Sequence, residues 1–134
     1  GYPAQVWAQT LAVNVTGVFL TVQGFLPALR AGRGKVAIIS SQMGSTTRAG
    51  PGRLAYRASK AAATNLGRSL AAELRPDAIA VGVYHPGWVR TDMGTSRADI
   101  SPEESARGLI ARFDALSPAT SGVVESWDGT PLAY

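Results

Sequence analysis

Tyr56 and Lys60, in the stretch YRASK, place a phenol and an ammonium four residues apart. In a helix, side chains at this spacing lie on one face about one turn apart, so both reach the same ligand. A free phenol has a pKa near ~10, and an ammonium held beside it stabilises the phenolate form. The pair therefore predicts a general acid/base site in which Lys60 tunes Tyr56.

Ser41 is the next candidate for this site. It directly follows a short apolar run, KVAIIS, that is rich in β-branched residues and predicts a strand buried on both faces. Ligands of parallel sheets bind beyond the carboxyl ends of the strands. We expect Ser41 to hold a substrate oxygen while Tyr56 exchanges a proton with it. Ser45 competes for this role, and Ser41 is preferred because it ends the strand.

Helices and strands that alternate along the chain must position these residues. Helices are predicted from about Ala4 to Ala31, with a glycine of AGRG as its left-handed cap, from Leu54 to Leu74, and from the capping motif SPEE to Leu116. Strands are predicted for KVAIIS, IAVGVY and GVVESW, and a loop for Gln42 to Arg53. Crossover helices of this length require parallel strands. The expected fold class is therefore α/β, a parallel sheet of about three strands with flanking helices, in one domain over residues 1–134.

The composition argues against several functions. The chain has no cysteine, which excludes disulfides and thiolate chemistry, and its only histidine, His85, cannot build a typical metal site, so we expect no metal. His85 is expected to pack at a strand end. The net charge of +4 comes mostly from scattered arginines, so nucleic-acid binding is not expected. No apolar run approaches the ~20 residues of a membrane span. We expect a cytoplasmic protein.

Four motifs together resemble the short-chain dehydrogenase/reductase family. ISS, a loop and then YRASK are similar to the family's serine and Tyr-x-x-x-Lys motif. NVTG, which begins at Asn14, resembles the helix segment that carries the family's catalytic asparagine, and HPGWVRTDM resembles the segment beside the nicotinamide. The tail WDGTPLAY is similar to the end of small carbonyl reductases of the C-factor and sniffer subgroup.

The resemblance implies a carbonyl reductase or alcohol dehydrogenase that uses NAD or NADP and a small carbonyl or alcohol substrate. Tyr56 would be the general acid in reduction and the base in oxidation. Lys60 would assist it and bind the nicotinamide ribose, and Ser41 would orient the carbonyl. Asn14 would hold a water in a proton relay to Lys60. The resemblance also implies contacts with the nicotinamide end of the cofactor by Tyr56, Lys60, Pro86, Gly87, Val89 and Thr91.

The family's dinucleotide site is not recognisable in this sequence. It needs an earlier strand, a glycine-rich turn and a helix whose N-terminus faces the pyrophosphate. GRGKVA and GPGRLA fit a loose glycine pattern, but the first precedes a strand and the second contains Pro51, which lacks a backbone donor. We therefore expect a partial Rossmann-like, doubly wound sheet that corresponds to the catalytic, carboxyl-terminal half of the family fold. Cofactor binding by this chain alone is doubtful.

Three functions stay open on the sequence. The first is the oxidoreductase, truncated and not necessarily active alone. The second is a cofactor-free binding module that dimerises through its two long helices. The third is a hydrolase or lyase that uses Ser41 with Tyr56 as base. An open sheet edge requires a partner, so we expect either a homo-oligomer through the long helices or association with an amino-terminal half. The polar segment from Thr91 to Ile100 indicates no particular substrate.

Overall fold

The computed structural model describes residues 3–92 and 97–134. Its long helices are α1 (Ala4–Leu11), α2 (Gly17–Gly32), α3 (Leu54–Glu73) and α4 (Pro102–Ala115), and its strands are β1 (Lys35–Ile39), β2 (Ala80–His85) and β3 (Val124–Ser126). A π-helical turn, Ala12–Thr16, joins α1 to α2. Short 3-10 turns cover Gln42–Gly44 and Thr46–Arg48. The α/β class and the alternation of helices and strands are confirmed.

All three strands are parallel, in the order β1-β2-β3. The register pairs Ile39 with Tyr84 and His85 with Ser126, so the carboxyl ends of the strands meet at one edge of the sheet. The segments that follow β1 and β2 both leave the sheet there. This edge is where a parallel sheet binds its ligands, and it is where the candidate residues converge.

The apolar core lies between β2 and the helices α2 and α3. Every residue of β2 is buried, and Val81 and Val83 pack with Ala63 and Leu70 of α3. Gly67 brings α3 close to the sheet, because a Cβ at this position would overlap the Val83 side chain. The helix that carries Tyr56 and Lys60 is therefore fixed rigidly over the central strand.

Two local predictions were wrong. β1 is not buried on both faces: Ile38 is buried, whereas Ile39 is 41% exposed. The reason is that β1 lies at the edge of the sheet, and no described helix covers its second face. The left-handed residue that follows α2 is Arg33, with φ +48°, rather than a glycine. By contrast, the predicted capping box of α4 is confirmed, because Ser101 and Glu104 exchange both hydrogen bonds.

The helical segment Ala4–Gly32 exposes an unusual amount of apolar surface. It is 29 residues long and contains an 18-residue window with a mean hydropathy of 1.5, so by length and composition alone it would suffice to cross a membrane. The sequence-based expectation that no apolar run approaches ~20 residues was therefore wrong when judged by helix length and mean hydropathy. One such helix is weak evidence for a membrane span, since core helices of globular proteins pass the same test. Its exposed large side chains are Val6, Trp7, Val13, Phe19, Leu20 and Phe25.

Candidate active site

Tyr56 and Lys60 lie in the first two turns of α3 and share one face of the helix. The Lys60 Nζ is 5.7 Å from the centroid of the Tyr56 ring. It donates a hydrogen bond of 3.0 Å to the Ile39 carbonyl at the end of β1. Burial lowers the pKa of the Lys60 ammonium below that of an ordinary lysine. The first turn of α3 contains no acidic residue, so the described charge nearest the phenol along this helix is positive.

Asn14 reaches the same region from the other long helix. It lies in the π-helical turn Ala12–Thr16, and its Nδ2 donates a 3.0 Å hydrogen bond to Ser59 Oγ. That hydroxyl donates in turn to the Tyr56 carbonyl at 2.8 Å. The amide is therefore tied to the helix turn that carries the phenol. π-helical turns are frequent at functional sites, and the apolar periodicity of the sequence does not indicate this one.

Ser41 keeps its hydroxyl proton available to a ligand, whereas the hydroxyls of Ser40 and Ser45 are engaged within the protein. The Oγ of Ser41 accepts a 3.1 Å hydrogen bond from the Met43 N–H, so its own proton is available for a ligand. The Ser40 hydroxyl is engaged with the Lys60 carbonyl at 3.0 Å and Thr64 at 2.7 Å. Ser45 is buried and pairs with a neighbouring threonine at 2.8 Å. Of the two serines that the sequence offered, Ser41 is therefore the one whose proton is not used in a hydrogen bond among the described residues.

Two cavities meet at Tyr56. The larger, here called the Ser41 cavity, has a volume of about 670 Å³. The smaller, here called the Lys60 cavity, has a volume of about 580 Å³. The candidate residues that line the Ser41 cavity are Ser41, Tyr56, Pro86, Gly87, Val89 and Thr91. Those that line the Lys60 cavity are Asn14, Tyr56, Lys60 and Pro86. All candidates thus lie on one of two adjoining cavities, with Tyr56 and Pro86 on both.

The segment after β2 forms one wall of the Ser41 cavity. Gly87 has φ +87°, and a Cβ there would lie 2.5 Å from Ile100 and 2.8 Å from Trp127, so only glycine fits both the backbone and the space. The Pro86 carbonyl accepts a 2.6 Å hydrogen bond from Ser105 of α4. These contacts fix the turn that presents Val89 to the cavity. Residues 93–96, part of the polar segment from Thr91 to Ile100, lie outside the described residues.

Sequence reasoning missed several residues on the cavity walls. Arg53 lines the Ser41 cavity from the start of α3, and α4 supplies an opposite wall through Pro102, Ser105, Ala106 and Leu109. Trp88, for which the sequence position after Pro86 and Gly87 already suggested a place on a pocket wall, is 47% exposed and lines the same cavity. No short-range pattern identifies the α4 residues, because α4 meets the cavity only through the folding of a distant part of the chain.

His85 also borders the Ser41 cavity, at the end of β2. It is 8% exposed, and its Nδ1 is buried without a hydrogen-bond partner among the described residues. Burial, and secondarily the positive charge of Arg48, lowers the pKa of this imidazole. The ring is therefore neutral at neutral pH and packs at a strand end, in agreement with the structural role expected from the sequence.

The donors around the Lys60 cavity suit the ribose of a nicotinamide cofactor. An ammonium has three donors, and the Ile39 carbonyl takes one of those of Lys60, which leaves donors for sugar hydroxyls. Metal chemistry has no comparable support: within residues 3–92 and 97–134 no group of three or more His, Asp or Glu residues is placed to hold an ion.

Comparison with known proteins identifies relatives along most of the chain. The sequence model of the family described as short chain dehydrogenase matches residues 2–101. C-signal of Myxococcus xanthus is 37% identical over 129 residues, which cover 95% of this chain and 78% of that protein. The 1-hydroxy-2-glutathionyl-2-methyl-3-butene dehydrogenase of Rhodococcus sp. (strain AD45) is 36% identical over 129 residues, 92% of this chain and 57% of that protein.

Solved structures agree. The carbonyl reductase Sniffer of D. melanogaster superposes with a TM-score of 0.94 at 31% identity, covering 100% of this chain and 59% of that one. A carbonyl reductase from chicken fatty liver, solved with NADPH bound, superposes with a TM-score of 0.90 at 31% identity, covering 99% of this chain and 59% of that one. The chain thus spans less than two thirds of the length of three of these four proteins.

Proposed function

Because the chain belongs to the short-chain dehydrogenase family, we propose that it is the catalytic part of an NAD(P)-dependent oxidoreductase that interconverts carbonyl and alcohol groups. The observation that carries the proposal is the convergence of Ser41, Tyr56 and Lys60 at the carboxyl edge of the sheet, around adjoining cavities. A hydroxyl donor, a phenol and an ammonium in this arrangement suit proton transfer to a carbonyl oxygen.

In the proposed reduction, the carbonyl oxygen lies between Ser41 and Tyr56. The Ser41 hydroxyl donates a hydrogen bond that orients and polarises the carbonyl, while its own oxygen is held by the Met43 N–H. When bound, NAD(P)H supplies the hydride that adds to the carbonyl carbon. Tyr56 gives its hydroxyl proton to the carbonyl oxygen, which becomes the alcohol. In the oxidative direction the phenolate takes that proton back.

Lys60 and Asn14 support the proton transfer from the side of the Lys60 cavity. The ammonium stabilises the phenolate that Tyr56 leaves behind, because opposite charges attract most strongly where water is partly excluded. Its anchor on the Ile39 carbonyl holds it 5.7 Å from the ring. Asn14 lines the same cavity, where its amide can position a water that returns a proton from solvent. Lys60 would also bind the nicotinamide ribose.

NAD and NADP are both compatible with the described residues. The ribose and nicotinamide contacts proposed for Lys60, Pro86, Gly87, Val89 and Thr91 involve the end of the cofactor that the two molecules share. The NADPH bound to the chicken reductase and the NADP bound to a structural relative from Burkholderia multivorans support a nicotinamide cofactor. They favour the phosphorylated form as the first one to test.

The test is nicotinamide-dependent turnover. The chain is assayed alone and fused to the amino-terminal half of a full-length family member, with aldehydes as substrates and the loss of NAD(P)H absorbance as the signal. Tyr56→Phe should lower kcat by about 10²- to 10⁴-fold, since it removes the general acid. Tyr134→Phe removes a phenol that lies outside both cavities and serves as the control. If neither form consumes NAD(P)H, or if Tyr56→Phe matches the parent, the proposal fails.

We also propose that the long helices carry an association surface. Leu20 and Phe25 of α2 are 60% and 64% exposed, and Val13 is 71% exposed. Exposed apolar side chains grouped on one element mark association surfaces in soluble proteins. The occupant is either a second copy of the chain or an amino-terminal half of the fold. Sedimentation of the chain distinguishes them: a dimer supports the first, and a monomer that binds the separate half supports the second. A monomer that binds neither contradicts the proposal.

A further inference from the structure

We propose that the substrate of this chain carries an anionic group, a carboxylate or a phosphate, which the Arg53 guanidinium binds at the Ser41 cavity. This inference rests on the proposed oxidoreductase function, because it assigns a substrate class to that reaction. It concerns a residue for which the Ser-Tyr-Lys chemistry has no use.

The charges on the cavity wall carry the inference. Among the described residues that line the Ser41 cavity, Arg53 is the one with a formal charge at neutral pH, since His85 is neutral and the wall includes no carboxylate. Residues 93–96, outside the described part, are uncharged by type. A ligand pocket is mostly apolar and uses a few polar groups to orient its ligand. A single arginine in this setting selects for negative charge.

Arg53 is available to a ligand. It is exposed and precedes the first residue of α3, and it forms no ion pair or hydrogen bond with the described side chains. The neighbouring arginines are held by the protein instead. Arg57 Nη1 donates to the Arg48 carbonyl at 3.0 Å, and Arg48 Nη1 donates to Gln42 Oε1 at 2.9 Å. Of the three, Arg53 alone both lines the cavity and keeps its guanidinium uncommitted.

The surrounding field has the same sign. Residues 41–60 include three arginines and Lys60 but no acidic residue, and the first acidic residue of the whole chain is Glu73. Burial is the main cause of the lowered pKa of His85, and Arg48 adds to it more than Asp128 opposes it, so the charge of Arg48 acts at the cavity wall. Clefts lined by one sign of charge concentrate ligands of the opposite sign and speed their association. This field adds attraction for an anion that Arg53 then orients.

The geometry limits the size and shape of the substrate. Arg53 precedes Tyr56 by three residues, about one helical turn or ~5 Å of rise. The walls contributed by Trp88, Val89 and Leu109 are apolar. A compound with an apolar body, a carbonyl at the Tyr56 end and an anionic group at the other end suits this arrangement. The planar fork of a guanidinium pairs with both oxygens of a carboxylate or phosphate.

Matched probes test the proposal without turnover. 4-Carboxybenzaldehyde, its neutral methyl ester and 4-formylphenyl phosphate are titrated into the chain, and binding is followed by nuclear magnetic resonance. We expect the acid or the phosphate to bind about tenfold tighter than the ester, with an advantage that shrinks as salt is added. Whichever of the carboxylate and the phosphate shows the larger gain in affinity over the ester is then assigned as the anionic group of the substrate. Arg53→Gln should bring the ratio of affinities close to one, and Arg53→Lys should restore part of it.

Arg33→Gln is the matched control. Arg33 is exposed, has the same left-handed backbone conformation as Arg53, with φ values of +48° and +52°, and lies at the opposite end of the sheet. The Arg33→Gln substitution removes the same charge from the chain, and Arg33 does not line the Ser41 cavity. The charge preference should therefore persist in this variant. Loss of the preference in both variants would indicate a general charge effect and would overturn the assignment to Arg53.

The remaining outcomes separate this inference from the proposed function. Equal affinity for acid and ester, no binding of any probe, or an unchanged ratio in Arg53→Gln overturns the inference. If the fused enzyme reduces both aldehydes with equal kcat/KM, and Arg53→Gln has no effect on that ratio, the inference fails while the oxidoreductase stands. If anions bind through Arg53 but no carbonyl is reduced, the anion site stands and the oxidoreductase fails.

Discussion

Gly44 couples the loop that carries Ser41 to the helix that carries Lys60, and Gly44→Ala should disturb both stability and catalysis. Gly44 is buried in the 3-10 turn Gln42–Gly44. A Cβ at this position would lie 2.6 Å from the Lys60 carbonyl carbon and 2.7 Å from the Ala61 nitrogen. Ordinary contacts begin at 3.4 Å, so the loop and the helix must separate by about 0.8 Å.

The overlapped atoms belong to the backbone of α3, which makes the clash costly. A flexible side chain could turn away, but α3 is fixed against β2 through Gly67. Overpacking of this kind destabilises proteins by about 1–3 kcal/mol. The loop that moves also carries Ser41, and a displacement of ~1 Å in a reacting group costs up to ~10²-fold in rate. We therefore expect Gly44→Ala to lower kcat by about 10- to 100-fold.

Two assays check this prediction. Urea unfolding of the chain gives the change in the free energy of unfolding, and NAD(P)H consumption by the fused enzyme gives kcat. Gly24→Ala is the matched control, because Gly24 is exposed within α2 and a Cβ there meets nothing within 4 Å. It should stabilise the helix by about 0.5–1 kcal/mol. A Gly44→Ala variant with parental stability and kcat would refute the reasoning, and lost stability with full activity would refute the coupling to Ser41.

Three further predictions concern packing and pH. Gly67→Ala should lower the free energy of unfolding by about 1–2 kcal/mol, measured in urea, because its methyl group would overlap Val83; unchanged stability would contradict the close packing of α3 on the sheet. Burial lowers the pKa of His85, so the unfolded state binds its proton more readily, and the free energy of unfolding should fall as pH drops below about 6.5. Urea unfolding at several pH values should show that the free energy of unfolding depends less on pH in His85→Gln than in the parent. An identical pH dependence would disprove that His85 is its source. Burial also lowers the pKa of Lys60 from the ordinary 10.5. As the pH is raised, kcat/KM should therefore begin to decline before pH 10.5 is reached, because the ammonium loses its proton. Lys60→Arg should shift the decline to higher pH, and identical profiles would count against the role of Lys60.

The features that the sequence predicted well depend on interactions between near neighbours. The spacing of Tyr56 and Lys60 places them on one helix face wherever that helix packs. The capping box at Ser101 is formed by residues three apart. The strand positions follow from short β-branched runs, and parallel pairing follows from the length of the crossovers. These elements were confirmed because each depends on few residues.

The π-helical turn and the exposed face of β1 could not be predicted in this way. A π-helical turn differs from an α-helical one by a single residue, and mixed apolar spacing does not separate the two. KVAIIS is as apolar as a central strand, yet β1 lies at the edge of the sheet. Whether a strand has one or two covered faces depends on which elements pack against it, and the strand's own composition does not determine this.

The sequence by itself determined the elements, their order and the Tyr56–Lys60 pair, because periodicity, capping and helical spacing act over one or two turns. Only the tertiary structure decided which serine near that phenol keeps its hydroxyl proton available, that α4 lines the same cavity, and that Arg53 is the charged group among the described wall residues. Those relations join residues far apart in the chain. They exist because parallel pairing and the packing of α3 on β2 bring the strand ends together.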